Sequence, residues 1–423
     1  MKNLKKILAV VLAMVLMAAM SVTMFAADPA DMNGEGGVIG EFTAPTQSAS
    51  AKPTSLKIYK EITAYNPTAC TVNAPTMSYT YAITAGSSGK DVIDAAGVHA
   101  QTKAGIISGV TLSNDGAIAW TPAETLSAGP DGVKNVKDIT IDFSDVEFAG
   151  AGVYRYVITE TANAYVESGV VDGSSSAVRY LDVYVKDAAT AGSYEIYGYV
   201  LFSNDNSIVG DNTATNENNV AAAQKTEGFV DVDTTSATSA DSYYTFNFSV
   251  SKTLTNDNAN KTHQFPFTIT LANGTVTRNV LPIMTIDGNA TQTALTAAPI
   301  AGTWSPTIAD SASVTYVGIP TGTTVTIKEN NDVVGTTYKV TISGADTNPA
   351  AANVYSGNDS GNAVITSGAT AGAAATANKD VSFNNNFELI SPTGVILRIA
   401  PFAIILLAGI VLFVVARRRR VED

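Results

Sequence analysis

One cysteine, two histidines and two tryptophans are all that the 423 residues contain of these types. With Cys70 alone, no intramolecular disulfide can form. With only His99 and His263, neither a zinc site nor a His-dependent triad has enough material, and a hydrolase or metalloenzyme is disfavoured. Charge is sparse at 15% of residues, and positive charge sparser still: 25 Lys and Arg against 38 Asp and Glu leave a net −13. The clustered part of the positive charge sits at the two ends, in Lys2, Lys5, Lys6, Arg398 and Arg417 to Arg420. What lies between is more acidic than the whole, repels phosphate backbones and excludes nucleic acid as a partner. Hydrophobic residues reach 45%, so the chain is not a disordered polymer, and its length allows two or three domains.

Both ends carry apolar runs. Lys2, Lys5 and Lys6 precede an uncharged stretch from Ile7 to about Met20, and small residues follow at Ala26 and Ala27. That layout predicts a secretory signal peptide over 1–27. At the other end, 399–416 is uncharged and apolar, and at ~1.5 Å per residue it forms a helix long enough to cross a bilayer. The arginines that follow place its far end in the cytoplasm and everything upstream outside. Immediately before this run stands Ile390-Ser391-Pro392-Thr393-Gly394.

Residues 28–52, rich in Gly, Ala, Ser and Pro, read as a flexible leader. From there the chain consists of short segments rich in Val, Ile, Tyr and Phe and separated by turn residues, with no convincing amphipathic helix. An Asn- and Asp-heavy stretch from Asn204 to Asn219 reads as a polar loop, and the strand pattern restarts after about residue 235. The expectation is an all-β protein of two tandem Ig-like antiparallel sandwiches, over 53–235 and 240–388, with the tail at 389–423.

Strand side chains alternate between faces, so sequence parity shows which residues point inward together. Lys60 shares a face with Leu56 and Ile58, Glu160 with Tyr154, Tyr156 and Ile158, and Asp231 with Phe229. Farther on, Lys252 falls with Phe246, Phe248 and Val250, Glu329 with Val325 and Ile327, and Asn385 with Val381, Phe383 and Phe387. Each half thus repeats one order: lysine, glutamate, then an acid or amide. Burial disfavours the charged forms of lysine and glutamate. A neutral amine is a nucleophile, and a protonated carboxyl can polarise a side-chain carbonyl and shuttle protons. Held together, lysine and acceptor can condense into an amide, releasing ammonia from Asn or water from Asp. Asn247 is the competing acceptor for the first half; parity puts it on the polar face with Thr245 and Ser249.

These segments, notably FSDVEFAGAGVYRYVITE, FSVSKTL, VSFNNNFE and SPTGVILRIAPF, resemble the streptococcal pilin isopeptide-linkage family of two-domain backbone pilins, with CnaB-like sandwiches. The resemblance implies a self-formed bond in each domain, Lys252–Asn385 with Glu329 as catalyst and Lys60–Asp231 with Glu160 as catalyst. The pentad, helix and arginines resemble the LPxTG sorting signal of Gram-positive cell-wall proteins, which sortase cuts between the positions of Thr393 and Gly394. Ile390 and the late Pro392 depart from that signal in a way that favours a dedicated pilus sortase. The resemblance further implies Lys225 as the lysine joined to the next subunit's threonine, and no cofactor or metal. The expected function is a structural subunit of a covalent cell-surface pilus, with sortase, identical subunits, tip and base pilins and peptidoglycan as partners. The alternative is a monomeric wall-anchored adhesin.

Overall fold

The computed structural model describes residues 52–93, 99–165, 169–171, 173, 177–202, 226, 228–229, 241–255, 261–272, 279–280, 282–292, 298–299, 303–330, 338–354, 359–366, 377–387, 404–415 and 417. The expected signal peptide, nearly all of the leader, Lys225, Asp231, Thr393 and Gly394 lie outside them.

The Val-, Ile- and Tyr-rich segments form the strands, as side chains that pack well on a pleated surface should. The longer ones are β1 (Ser55–Tyr65), β2 (Met77–Ala85), β3 (Val133–Asp142), β4 (Gly152–Tyr165), β5 (Val178–Asp187), β6 (Tyr194–Phe202), β7 (Asp241–Thr255), β8 (Phe265–Ala272), β9 (Ala312–Pro320), β10 (Thr324–Glu329), β11 (Tyr338–Ser343) and β12 (Lys379–Asn386). One sheet runs β11-β12-β7-β1-β3, with β9 also paired to β7. A second runs β6-β5-β4-β2, and a third contains β8 and β10.

Packing of these sheets makes two large cores among the described residues, besides a small cluster of Val153, Tyr184, Val200 and Phe202. One gathers residues from Leu56 to Tyr243, among them Ile58, Tyr79, Trp120, Tyr156 and Phe229. The other runs from Phe246 to Phe383 and includes Phe248, Phe267, Tyr316 and Ile327. The architecture is therefore all-β, a sandwich on each core, with β7 shared between them. Its first residues pair in parallel with β1, Ile62 opposite Asp241 through Tyr65 opposite Tyr244. Its later residues pair in parallel with β12, Phe248 opposite Lys379 through Thr255 opposite Asn386. In each sandwich the first and last strands thus lie side by side and run the same way, whereas most other pairings are antiparallel. The rest of each domain serves as the long connection that a parallel pair requires.

Where β7 passes from one core to the other, its inward face changes. Asp241, Tyr243 and Thr245 are buried, then Phe246, Phe248, Val250, Lys252 and Leu254, with Thr245 to Phe248 buried on both faces. A bulge against β9 between Phe246 and Phe248 accommodates the change of phase. At this junction Asn66 and Asn247 exchange reciprocal amide hydrogen bonds of 2.8 Å. Asn247 also donates to Asn378 and accepts the Gly318 N–H. Asn378 reaches Thr68, and Tyr65 stacks on Tyr244 with ring centroids 4.6 Å apart.

The tail contains a helix at 404–415, and its large apolar side chains, Ile404 to Leu407 and Ile410 to Val415, are exposed. Among the described residues no helix is long and apolar enough to cross a membrane.

Candidate functional site

Among the described residues, two lysine–glutamate clusters lie inside the sandwiches, one in each, apart from the buried Arg155–Asp182 pair between β4 and β5. In the second, Lys252 on β7 and Glu329 at the end of β10 are both fully buried, with Nζ 2.8 Å from Oε2. Asn385 on β12, also fully buried, donates from Nδ2 to the other carboxylate oxygen, Oε1, at 2.6 Å. Tyr338 on β11 donates to the same Oε1 at 3.2 Å, and the Lys252 amine lies 4.4 Å from the centre of the Phe265 ring. One carboxylate therefore holds both the amine and the amide. Asn385 Oδ1 is buried and, among the described residues, accepts no hydrogen bond. Burial pushes the Lys252 amine down to about 8, against the pull of Glu329 in the opposite direction. Near neutral pH a useful fraction of it is then uncharged and nucleophilic.

The first cluster has the same plan with one member exchanged. Lys60 on β1 lies 3.0 Å from Glu160 Oε1 on β4 and 2.9 Å from Asp241 Oδ2 at the start of β7. Lys60 and Asp241 side chains are 2% and 1% exposed. Here the lysine bridges two carboxylates, because an aspartate, unlike an asparagine, has no proton to give the glutamate. Tyrosines supply those protons. Tyr81 donates to Glu160 Oε2 and Tyr79 to Asp241 Oδ2, the two hydroxyls projecting from the same face of β2. Burial holds the Glu160 carboxyl above its ordinary range, opposed by the Lys60 amine.

Strand register shows that the two clusters are equivalent. Asn385 stands opposite Leu254, two residues beyond Lys252, and Asp241 stands opposite Ile62, two residues beyond Lys60. Each glutamate faces an aromatic residue across its strand pair, Glu160 opposite Tyr81 and Glu329 opposite Phe267. The second cluster brings together the three residues expected from parity. In the first, Lys60 and Glu160 meet as expected, but the acid beside them is Asp241. Asp231 lies outside the described residues. Asn247 is buried, yet it is occupied in the junction between the sandwiches, with Asn66, Asn378 and the Gly318 N–H as partners.

Tyr79, Tyr81 and Arg179, which alternation alone does not single out, complete the surroundings of the first cluster. Arg179 on β5, buried and pushed down to about 10 by desolvation, donates from Nε to Gly228 O at 2.7 Å and covers the Phe229 ring at 4.5 Å. It thereby ties down the short strand Gly228–Phe229, which lies parallel to β1 with Phe229 opposite Lys60. Gly228 adopts φ 149°, and a Cβ there would meet Tyr59 O at 2.1 Å, so only glycine permits this approach. The Tyr79 and Tyr81 hydroxyls had a legible trace, two tyrosines at i and i+2 on an alternating strand. Among the described residues no group of His, Cys, Asp and Glu is placed to hold a metal.

A family model described as "Domain of unknown function (DUF7601)" matches residues 247–380. No curated protein matches the chain. Among solved structures, the chain is similar to the major pilin from Streptococcus pyogenes, at 17% identity and a TM-score of 0.36, over 79% of this chain and 99% of that one. The S. pyogenes major pilin T3.2 matches at 18% identity and a TM-score of 0.35, over 79% and 100%. An adhesin from Mobiluncus mulieris, described as containing intramolecular disulfide, isopeptide and ester bond cross-links, matches at 14% identity and a TM-score of 0.24, over 79% and 99%. These identities and TM-scores are low; what the two clusters can do follows from their own geometry.

Proposed function

We propose that the chain is a structural subunit of a sortase-assembled surface pilus, stapled internally by two self-formed isopeptide bonds, Lys252–Asn385 and Lys60–Asp241. The observation that carries this reading is a doubly repeated arrangement: a buried lysine, a glutamate paired with it, and a buried amide or acid acceptor at the same register offset on adjacent first and last strands. Burying paired charges costs several kcal/mol per ion, a penalty that condensation to a neutral amide removes. In the second cluster, the uncharged Lys252 amine attacks Cγ of Asn385. Glu329 Oε2 takes a proton from the attacking nitrogen, and the carboxyl returns a proton through Oε1 to Nδ2, which leaves as ammonia. One N–C bond forms as another breaks. In the first cluster the same condensation releases water. Each cluster consumes its own side chains in a single turnover, so the protein is a substrate and scaffold, not an enzyme.

Assembly rests on the tail. Thr393 and Gly394 form the sortase cleavage site, and the threonine carbonyl is transferred to a lysine of the next subunit, for which Lys225 is the candidate. The 399–416 segment holds the precursor in the membrane until transfer, and the finished fibre is joined to peptidoglycan with the sandwiches outside. The sequence of this tail supports the reading, as do the exposed apolar side chains of the helix at 404–415, which suit a lipid surrounding better than water. The test is made on the producing cell wall. Ladders that resist detergent and boiling are expected, collapsing to one band with Thr393→Ala and with Lys225→Ala. A single wall-linked species in the wild type contradicts the polymer.

A further inference from the structure

We propose that Tyr79 is a catalytic residue of the first cluster, the acid that protonates the departing oxygen of Asp241. The inference rests on the Lys60–Asp241 condensation proposed above and assigns its missing proton donor.

The two oxygens of Asp241 have different surroundings. Oδ1 accepts the backbone N–H of Gly173 at 2.9 Å, a donor suited to stabilise negative charge as the carbonyl is attacked. Oδ2 faces the Lys60 amine at 2.9 Å and the Tyr79 hydroxyl. Oδ1 is therefore the oxygen retained in the amide, and Oδ2 the one that leaves. Hydroxide is a poor leaving group, so Oδ2 must receive protons before its bond to Cγ breaks. In the second cluster the leaving nitrogen rests on Glu329. In the first, the hydrogen bonds of Glu160 come from Lys60 and Tyr81, which directs this carboxylate at the nucleophile instead. Tyr79 is the donor at the leaving atom.

The position of Tyr79 suits the task. It is 1% exposed, its ring meets Trp120 edge-on at 6.0 Å, and the Lys60 amine lies 4.4 Å from its centre. The hydroxyl is thus fixed on the acceptor's Oδ2, with the nucleophile beside its ring. The proton count closes. Lys60 enters as an ammonium with three protons on Nζ and Asp241 as a carboxylate. One proton passes from Nζ to Glu160 and one to Oδ2 across the ion pair, while the Nζ–Cγ bond forms. Tyr79 then gives its phenolic proton to Oδ2, the Cγ–Oδ2 bond breaks, and water departs. The proton held by Glu160 returns to the phenolate through that water. The amide keeps one hydrogen, and Glu160 and Tyr79 end as they began.

The experiment compares full-length wild type and Tyr79→Phe by intact mass and by mapping cross-linked peptides over time after synthesis. Phenylalanine keeps the ring contacts and removes only the hydroxyl. The expected result is a Lys60–Asp241 peptide that appears at least about tenfold more slowly in the variant, while the Lys252–Asn385 peptide forms normally and reports an intact fold. Formation of the first peptide at the wild-type rate overturns the role of Tyr79 and leaves the bond itself standing. Absence of that peptide from the wild type overturns both. Should the variant lose the second peptide as well, 3-fluorotyrosine at position 79 decides: a more acidic phenol changes the rate of the first bond if Tyr79 is the acid, and an unchanged rate overturns the proposal.

Discussion

At Glu329 the two carboxylate oxygens face the two partners of the proposed reaction, Oε2 the Lys252 amine and Oε1 the Asn385 amide. Glu329→Gln keeps the size of the side chain but removes the base, so the Lys252–Asn385 peptide should be absent from a digest while the Lys60–Asp241 peptide persists. Losing a cross-link that closes a loop of roughly 130 residues costs on the order of 5 kcal/mol. The melting temperature of that sandwich should fall by roughly 10–20 °C, readable by calorimetry. The lysine supplies a pH signature. Folding lowers Lys252 from 10.5 to about 8, so the unreacted folded chain binds fewer protons than the unfolded chain between those values. Its stability therefore rises with pH through that window and falls as pH drops toward 8. The neutral amine increases about tenfold per unit below its pKa. Precursor refolded from inclusion bodies should form the second bond at rates that climb with pH to about 8 and then level off. A rate independent of pH contradicts attack by the free amine.

β7 is the element that both sandwiches depend on, since it supplies Asp241 to one cluster and Lys252 to the other. Its continuity also explains what the sequence could and could not disclose. Strict alternation placed Lys60, Glu160, Lys252, Glu329 and Asn385 on apolar faces, and the structure brings those five into the clusters. Asp241 escaped because the phase of β7 changes at Thr245 to Phe248: parity counted back from Phe246 puts residue 241 on the outward face. The common register offset depends on pairing between β1 and β7, strands far apart in sequence, and no local pattern encodes it. Asn247, the rival acceptor by composition, serves the junction instead. Replacing it by alanine strands the Gly318 N–H and leaves the Asn66 amide only its Thr245 and Thr68 partners, at a cost of about 2 kcal/mol. In protein lacking both cross-links, Asn247→Ala should resolve one calorimetric transition into two, because the sandwiches lose their polar latch. Unchanged cooperativity would show that β7 alone couples them.

Across the whole molecule the proposed bonds define a short covalent route. It enters on β1, crosses from Lys60 to Asp241, follows β7 to Lys252, crosses to Asn385 and leaves on β12, so both cores hang beside the line of force. Pulled by its ends, the cross-linked chain should extend only through its termini without unfolding either sandwich, whereas a chain carrying Lys60→Ala and Lys252→Ala should release both in separate steps. The proposed route would take the place of the disulfides that a single cysteine rules out. The most direct measurement is the intact mass of the folded protein, with cross-linked peptides mapped after digestion. The account predicts a mass below that of the linear chain by one water and one ammonia, located at Lys60–Asp241 and Lys252–Asn385. A mass equal to that of the linear chain, with all four side chains recovered unmodified, would contradict it.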